Sequence, residues 1–215
     1  MIPLGRAVGA RPSFFVTGTR VEIDFGELTP YERYKLMSSL IVPRPIALIT
    51  TLGADGTVNA APFSMFNMLG EDPPIVMVSI NRHDDGALKD TAVNIEREGE
   101  FVVHLCDEAM AGKMHQCGVR LPSHVSELAQ AGLTTAPSVN VAPPRVAEAP
   151  VAFECTVWDT LSSDSRRIFI GRVLRLHARD GLIDRETCRI QLNDYAPVGR
   201  LGGGLYTKTR DRFTV

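Results

Sequence analysis

Apolar runs of strand length recur along the chain from Ile46 to Arg179, and they constrain the fold more than any other feature. The helical patterns between them are few and short, whereas a parallel α/β sheet needs a helix after nearly every strand. Asp55-Gly56 separates the first two runs and is typical of a two-residue hairpin. The pattern therefore predicts an all-β protein of closed architecture with a few short helices. The runs are 46–52, 58–63, 75–80, 101–106, 151–161 and 167–179.

Capping residues mark where the helices begin. Thr29, Pro30 and Glu32 occupy the N-cap, N1 and N3 positions of a capping box, which predicts a short helix after them. No repeat or linker divides the chain, so we expect an N-terminal arm of residues 1–28 and one domain of residues 29–215. Further short helices are predicted at 90–98, 107–118 and 123–131.

The charges of the chain are nearly balanced, with 23 Lys and Arg against 25 Asp and Glu. Such a chain offers no basic surface for nucleic acid or an anionic membrane. No apolar stretch approaches the ~20 residues of a spanning helix, and the N-terminus lacks the apolar run of a signal peptide. The four cysteines include no CxxC pair. We therefore expect reduced thiols in a cytoplasmic protein with no membrane or nucleic-acid partner.

Hydroxyl and ammonium groups lie near strand ends and at a helix start. Lys89-Asp90-Thr91 combines a cation, a hydroxyl and the unpaired backbone N–H groups of a helix N-terminus, which together suit a phosphate monoester. Thr50, Thr51 and Ser64 could add further hydroxyls. The alternative is that the threonines are ordinary strand residues and that the aspartate is only a helix cap.

The segment Asn59-Ala60-Ala61-Pro62-Phe63-Ser64 is unusual for a strand. Its two alanines leave the backbone uncovered, and its proline cannot donate in a ladder, so we expect the segment at a sheet edge or a break. A flat heteroaromatic ring could lie against this backbone and pair with its main-chain groups. A β-bulge without a ligand is the competing interpretation.

Two His-x-Cys pairs, His104 with Cys106 and His115 with Cys117, supply residue types that bind zinc. Their i, i+2 spacing does not match a zinc finger or knuckle, so core packing or a paired imidazole is favoured and no metal site is predicted. The chain has no G-x-S-x-G elbow of a hydrolase. Trp158 lies in a strand pattern and is expected in the core.

Several short motifs follow one another in a defined order. They are Val42-Pro43-Arg44-Pro45-Ile46-Ala47, Thr50-Thr51, 59–66, Asp72-Pro73-Pro74, Lys89-Asp90-Thr91 and Arg200-Leu201-Gly202-Gly203-Gly204-Leu205-Tyr206. Each motif alone is short, but their order and spacing together resemble the flavin-reductase-like, FMN-binding split-barrel family. The similarity runs from about Tyr34 to Thr207.

The resemblance implies a Greek-key split barrel that forms a homodimer and binds FMN near the subunit interface. It assigns the phosphate and ribityl chain to Thr50, Thr51, Ser64, Lys89 and Thr91, with Arg44 adding a charge-assisted bond. It assigns the isoalloxazine edge to Ala61, Phe63 and Asn81, with Tyr206 approaching the ring. The flavin carries the redox chemistry in such proteins, and no catalytic acid or base is assigned.

The expected activity is that of an FMN-dependent oxidoreductase, and NAD(P)H is one candidate for the electron donor. Relatives that reduce free flavin with a nicotinamide nucleotide often carry Gly-Asp-His before an apolar-Gly-x-Val strand. This chain has Asp164-Ser165-Arg166 at those positions. The missing histidine favours relatives that keep their FMN, as flavoredoxins do. A flavin-binding electron carrier or storage protein is therefore the alternative, although Arg166 could still pair with a dinucleotide phosphate.

Overall fold

The structure is a computed structural model that describes residues 14–17 and 20–215, with side chains from residue 20 onward. The chain forms two compact units, one that ends at Val42 and one that runs from Pro43 to Val215. Most of the predicted arm, residues 1–13 and 18–19, lies outside the described residues, so the division at residue 28 stays a prediction.

The first unit contains a β-hairpin and a helix. Strands β1 (Phe14–Thr17) and β2 (Arg20–Ile23) pair antiparallel, and a 3₁₀ turn at Phe25–Glu27 precedes helix α1 (Pro30–Leu40). The backbone N–H of Glu32 donates to Thr29 Oγ1 at 3.3 Å, and the N–H of Thr29 donates to Glu32 Oε2 at 2.9 Å. These two bonds confirm the predicted capping box.

The second unit contains the main sheet and three short helices. Its elements in chain order are β3 (Ala47–Leu52), β4 (Val58–Phe63), β5 (Phe66–Glu71), β6 (Pro74–Asn81), α2 (Asp90–Glu98), β7 (Glu100–Leu105), α3 (Ala111–Gln116), α4 (Glu127–Ala131), β8 (Thr135–Ala136), β9 (Arg145–Val146), β10 (Val151–Ser162), β11 (Arg166–Ala178), β12 (Ile183–Asp184), β13 (Arg189–Ile190), β14 (Val198–Gly202) and β15 (Leu205–Lys208). None of the helices that the structure describes is long and apolar enough to cross a membrane.

Seven of these strands form one antiparallel sheet in the order β4-β3-β7-β10-β11-β6-β5. Strands β4 and β5 are consecutive in the chain but stand at opposite ends of this order. Only Ser64 and Met65 separate them in the chain, and β4 also contacts β6, so the two ends of the sheet lie close together and the sheet curls into a barrel with its seam there. Strands β3 to β6 meander around the barrel and β7 returns beside β3, which is a Greek-key connection. The predicted all-β class is confirmed.

The two faces of the sheet bury different cores because side chains alternate along each strand. Ala47 and Ile49 point into the barrel with Phe101 and other apolar residues, whereas Leu48 belongs to the cluster under α3 and α4. Gly171 is required inside the barrel, since a Cβ there would lie 2.4 Å from Cζ of Phe101.

The structure also corrects some expectations. Helix α3 begins later than predicted because the side chain of Asp107 caps a separate turn, accepting from the N–H groups of Ala109 and Met110 at 3.1 and 3.3 Å. The predicted helix at 123–131 is reduced to α4. Trp158 was expected in the core, but it is 53% exposed on the outer face of β10, where the guanidinium of Arg172 stacks on its ring at 5.4 Å.

Candidate functional site

A cleft of about 160 Å³ lies between strand β4 and the N-terminus of α2. Strand β4 is an edge of the sheet, as its proline predicted. Ala61 and Phe63 line the cleft from this strand, and Lys89 and Thr91 line it from the helix start. The other lining residues are Asn59 and Pro62 of β4, Asp90 of α2, Glu127 of α4 and, from the loops around the cleft, His83, Cys117, Gly118, Val119, Arg120 and Leu121.

A buried cluster of amide and hydroxyl groups forms the floor of this cleft. Nδ2 of Asn59 donates to Thr91 Oγ1 at 2.9 Å and to Thr51 Oγ1 at 3.3 Å, and Nδ2 of Asn94 donates to Thr51 Oγ1 at 3.0 Å. All four residues are buried. Since the Thr91 hydroxyl accepts from an amide, its own proton is directed away from Asn59 and can be donated to a ligand.

Lys89 supplies a cation at the mouth of the cleft. Its ammonium makes no hydrogen bond or ion pair with any residue that the structure describes, and it lies 5.8 Å from the centroid of the Phe63 ring. Burial lowers the pKa of Lys89, the charge of Arg166 lowers it further, and Asp84 opposes both. Lys89 is also the N-cap of α2, beside N–H groups that no preceding helical turn can satisfy. An anion bound here would complete this group of donors.

Two arginines add positive charge where the chain passes from β4 to β5. Arg44 is buried, and its guanidinium donates to Ser64 Oγ at 3.4 Å and to the carbonyl of Leu201 at 3.1 Å. Arg166 at the start of β11 donates to the carbonyl and hydroxyl oxygens of Ser79 at 3.3 and 3.4 Å. The barrel seam and the adjoining cleft therefore carry several cations.

The structure brings together some of the residues that the sequence singled out. Ala61, Phe63, Lys89 and Thr91 line one cleft, and Thr51 lies one hydrogen bond behind it. Ser64 and Arg44 form a pair beside it.

The remaining three residues have other partners. Thr50 projects from the opposite face of β3 to Thr51, and its hydroxyl donates to the carbonyl of Pro144 at 2.6 Å. Asn81 is exposed and donates to the carbonyl of Arg82 at 2.9 Å. The hydroxyl of Tyr206 lies 2.8 Å from His115 Nδ1 and accepts from the guanidinium of Arg200.

Sequence reasoning did not assign several side chains that line the cleft. Arg120 approaches the loop before α2 through an ion pair with Asp85 at 3.4 Å. Glu127 on α4 is 8% exposed, and its Oε2 accepts from the backbone N–H of Ala60 at 2.9 Å. No local pattern identifies these residues, because each reaches the cleft through contacts between segments that are distant in the chain.

The His-x-Cys pairs have structural roles. His104 is buried, with Nδ1 2.9 Å from the carbonyl of Leu48 and Nε2 accepting from the N–H of Val146 at 2.9 Å. Burial lowers the pKa of His104 to about 4, so the imidazole is neutral at pH 7. Burial also raises the pKa of the Cys117 thiol to about 11. Within the described part of the chain, no three His, Cys, Asp or Glu side chains are grouped to hold a metal ion.

Comparison with known proteins identifies the family. A family model, the flavin reductase like domain, matches residues 37–195. The uncharacterized protein YwrF of Bacillus subtilis is 38% identical over 195 residues, which cover 88% of this chain and 95% of that protein.

Two solved structures share both fold and sequence. The 2-nitrobenzoate 2-nitroreductase NbaA of Pseudomonas fluorescens is 36% identical with a TM-score of 0.83, covering 90% of this chain and 94% of that one. The nitrilotriacetate monooxygenase component B of Bacillus cereus is 33% identical with a TM-score of 0.86, covering 93% and 100%. These matches confirm the resemblance and the split-barrel fold expected from the sequence. The chain therefore belongs to the flavin reductase like domain family.

Proposed function

We propose that this protein binds FMN in the cleft between β4 and α2 and acts as a flavin-dependent oxidoreductase. The observation that carries the proposal is the half-buried ammonium of Lys89, which has no partner among the described residues and stands at a helix N-terminus. A phosphate monoester offers the negative charge and the acceptor oxygens that this position lacks.

The residues of the cleft fit such a ligand at both ends. Lys89 and the hydroxyl of Thr91 would hold the phosphate, with Asn59 fixing the orientation of that hydroxyl. The small side chain of Ala61 leaves room for a flat ring, and Phe63 lines the same cleft. The bound flavin would supply the electron transfer, while these side chains bind and orient it.

The remaining predicted residues differ in the partners that they already have. Thr51 acts through the buried amide cluster, and Arg44 with Ser64 adds positive charge at the seam. The hydroxyl of Thr50 is already bonded to a carbonyl, so we assign it to packing between β3 and a loop. The assignment of Asn81 and Tyr206 as ring contacts rests on the family resemblance alone.

We also propose that the protein is a homodimer. Apolar side chains of β10 and β11 stand exposed where no described helix covers them: Trp158 is 53% exposed, Leu174 42% and Leu176 47%. Exposed apolar side chains on neighbouring strands are typical of a surface that another protein covers. A second copy of the chain is the partner that the family resemblance implies.

Two alternatives are proposed for the exchange of electrons with the flavin. Two of the similar solved structures are a nitroreductase and a monooxygenase component, and this supports the function of an oxidoreductase for the present chain. The sequence Asp164-Ser165-Arg166 favours instead an electron carrier that keeps its flavin and exchanges electrons with another molecule. NAD(P)H is the donor under the first alternative, and Arg166 would then bind its phosphate.

A spectrum of the purified protein tests the proposal. We expect the flavin absorbance bands, and we expect FMN as the compound released on denaturation, identified by chromatography against riboflavin and FAD. Protein that neither carries flavin nor takes it up on addition of FMN would refute the proposal.

A further inference from the structure

A carboxyl group that the proposed phosphate site does not use faces the cleft from α4. Glu127 lines the cleft although its side chain is more than nine-tenths buried. Its Oε2 accepts from the N–H of Ala60, whereas no other described residue donates a hydrogen bond to Oε1. No fully buried side-chain polar atom in the described part lacks a partner, so Oε1 must reach the open space of the cleft.

The charges around Glu127 do not include a paired cation. Asp90 of α2 and Cys117 at the end of α3 lie close enough to interact with it electrostatically. Strand β4, which packs on α4, has no titratable side chain. The other titratable groups that line the cleft are His83, Lys89 and Arg120. Helix α3 carries Lys113, which donates to the carbonyl of Gly132, and His115, which is bonded to Tyr206.

This environment favours the protonated carboxyl. Burial raises the pKa of Glu127 above its usual value, the N–H groups of Ala60 and of Glu127 itself lower it in part, and the charge of Asp90 raises it further. A neutral carboxyl can accept from Ala60 at Oε2 and carry a proton on Oε1 at the same time. The group that faces the cleft is then a hydrogen-bond donor in the same cleft that Ala61 lines.

We propose that Glu127 is a ligand-contacting residue whose Oε1 donates its proton in a hydrogen bond to a carbonyl oxygen or ring nitrogen of the bound flavin, while Oε2 stays on Ala60. This inference rests on the proposed flavin site. An ionised carboxylate would repel such an acceptor, so the bound state requires the proton. Flavin binding also removes water from Oε1 and raises the pKa of Glu127 further. Binding therefore takes up a proton, and affinity falls as the pH rises through the pKa of unliganded Glu127.

The test is titration calorimetry with riboflavin in pairs of buffers that differ in ionisation enthalpy, across about pH 5 to 8. Riboflavin has no phosphate, so the titration of a phosphate does not enter the measured proton count. We expect proton uptake and roughly a tenfold loss of affinity across this range for the wild type. In Glu127→Gln the amide oxygen can still accept from Ala60 and its NH₂ group can still donate, so affinity should persist without proton uptake or pH dependence.

Asp90→Asn is the matched control, because Asp90 is a second carboxylate that lines the same cleft. Binding to this variant should still take up a proton, over a range shifted to lower pH, because the charge of Asp90 no longer raises the pKa of Glu127. If Glu127→Gln does not fold, Glu127→Asp replaces it, and its shorter side chain should weaken riboflavin binding about tenfold. Equal uptake by wild type and Glu127→Gln, absence of uptake in the wild type, or unchanged binding by Glu127→Asp overturns the inference. A wild type that binds neither riboflavin nor FMN refutes the flavin site itself.

Discussion

Replacing Lys89 with alanine should weaken FMN binding while leaving the fold intact. The ammonium has no hydrogen-bond or ion-pair partner among the described residues, so its removal leaves no group of the protein unpaired. Its partial burial disfavours the charge, and the free energy of unfolding should therefore change by no more than about 0.5 kcal/mol. A charge-assisted hydrogen bond contributes ~1.5–3 kcal/mol, which corresponds to roughly a ten- to hundredfold loss of FMN affinity.

Quenching of flavin fluorescence measures this loss, with FMN and riboflavin titrated in parallel. Riboflavin should bind Lys89→Ala and the wild type equally, because it lacks the phosphate. Lys208→Ala is the matched control, since that side chain is 73% exposed and only approaches Glu108 at 3.5 Å. An unchanged FMN affinity in Lys89→Ala, or an equal loss for both flavins, would show that Lys89 does not bind the phosphate.

Three further variants test other parts of the account. Gly171→Ala places a Cβ 2.4 Å from Phe101, so urea denaturation should show that the free energy of unfolding falls by ~1–3 kcal/mol. A variant as stable as the wild type would contradict the packing described for the barrel interior. Trp158→Asp puts a charge on the exposed apolar face and should shift the dimer toward monomer by light scattering, whereas a wild type that is already monomeric refutes the dimer. Reduction of the bound flavin by NADH or NADPH should be slow in stopped-flow absorbance; rapid reduction by NADPH that Arg166→Ala abolishes would identify NADPH as the donor instead.

Local chemistry explains the parts of the fold that the sequence predicted. The capping box of α1, the Asp-Gly hairpin between β3 and β4, and the C-terminal stop of α2 at Gly99 each depend on residues close together in the chain. The edge position of β4 followed from the missing N–H of Pro62. Strand β5 was not predicted, because its residues show no regular alternation of apolar and polar positions.

The candidate site was predictable only in part, for geometric reasons. Consecutive strand residues face opposite sides of a sheet, so Thr50 and Thr51 could not both point toward one ligand, although the family motif contains both. The contact between Glu127 and Ala60 joins positions 67 residues apart in the sequence. Only the folded chain brings such residues together.

The most direct test of the central claim is the ratio of the FMN and riboflavin dissociation constants for the flavin-free wild-type protein, measured by fluorescence quenching. If Lys89, Thr91 and the first turn of α2 bind a phosphate, FMN should bind at least about tenfold more tightly than riboflavin. Raising the ionic strength should narrow the difference, because salt screens the interaction of the phosphate with the cations. Equal affinities for the two flavins would contradict the assignment of this cleft as an FMN site.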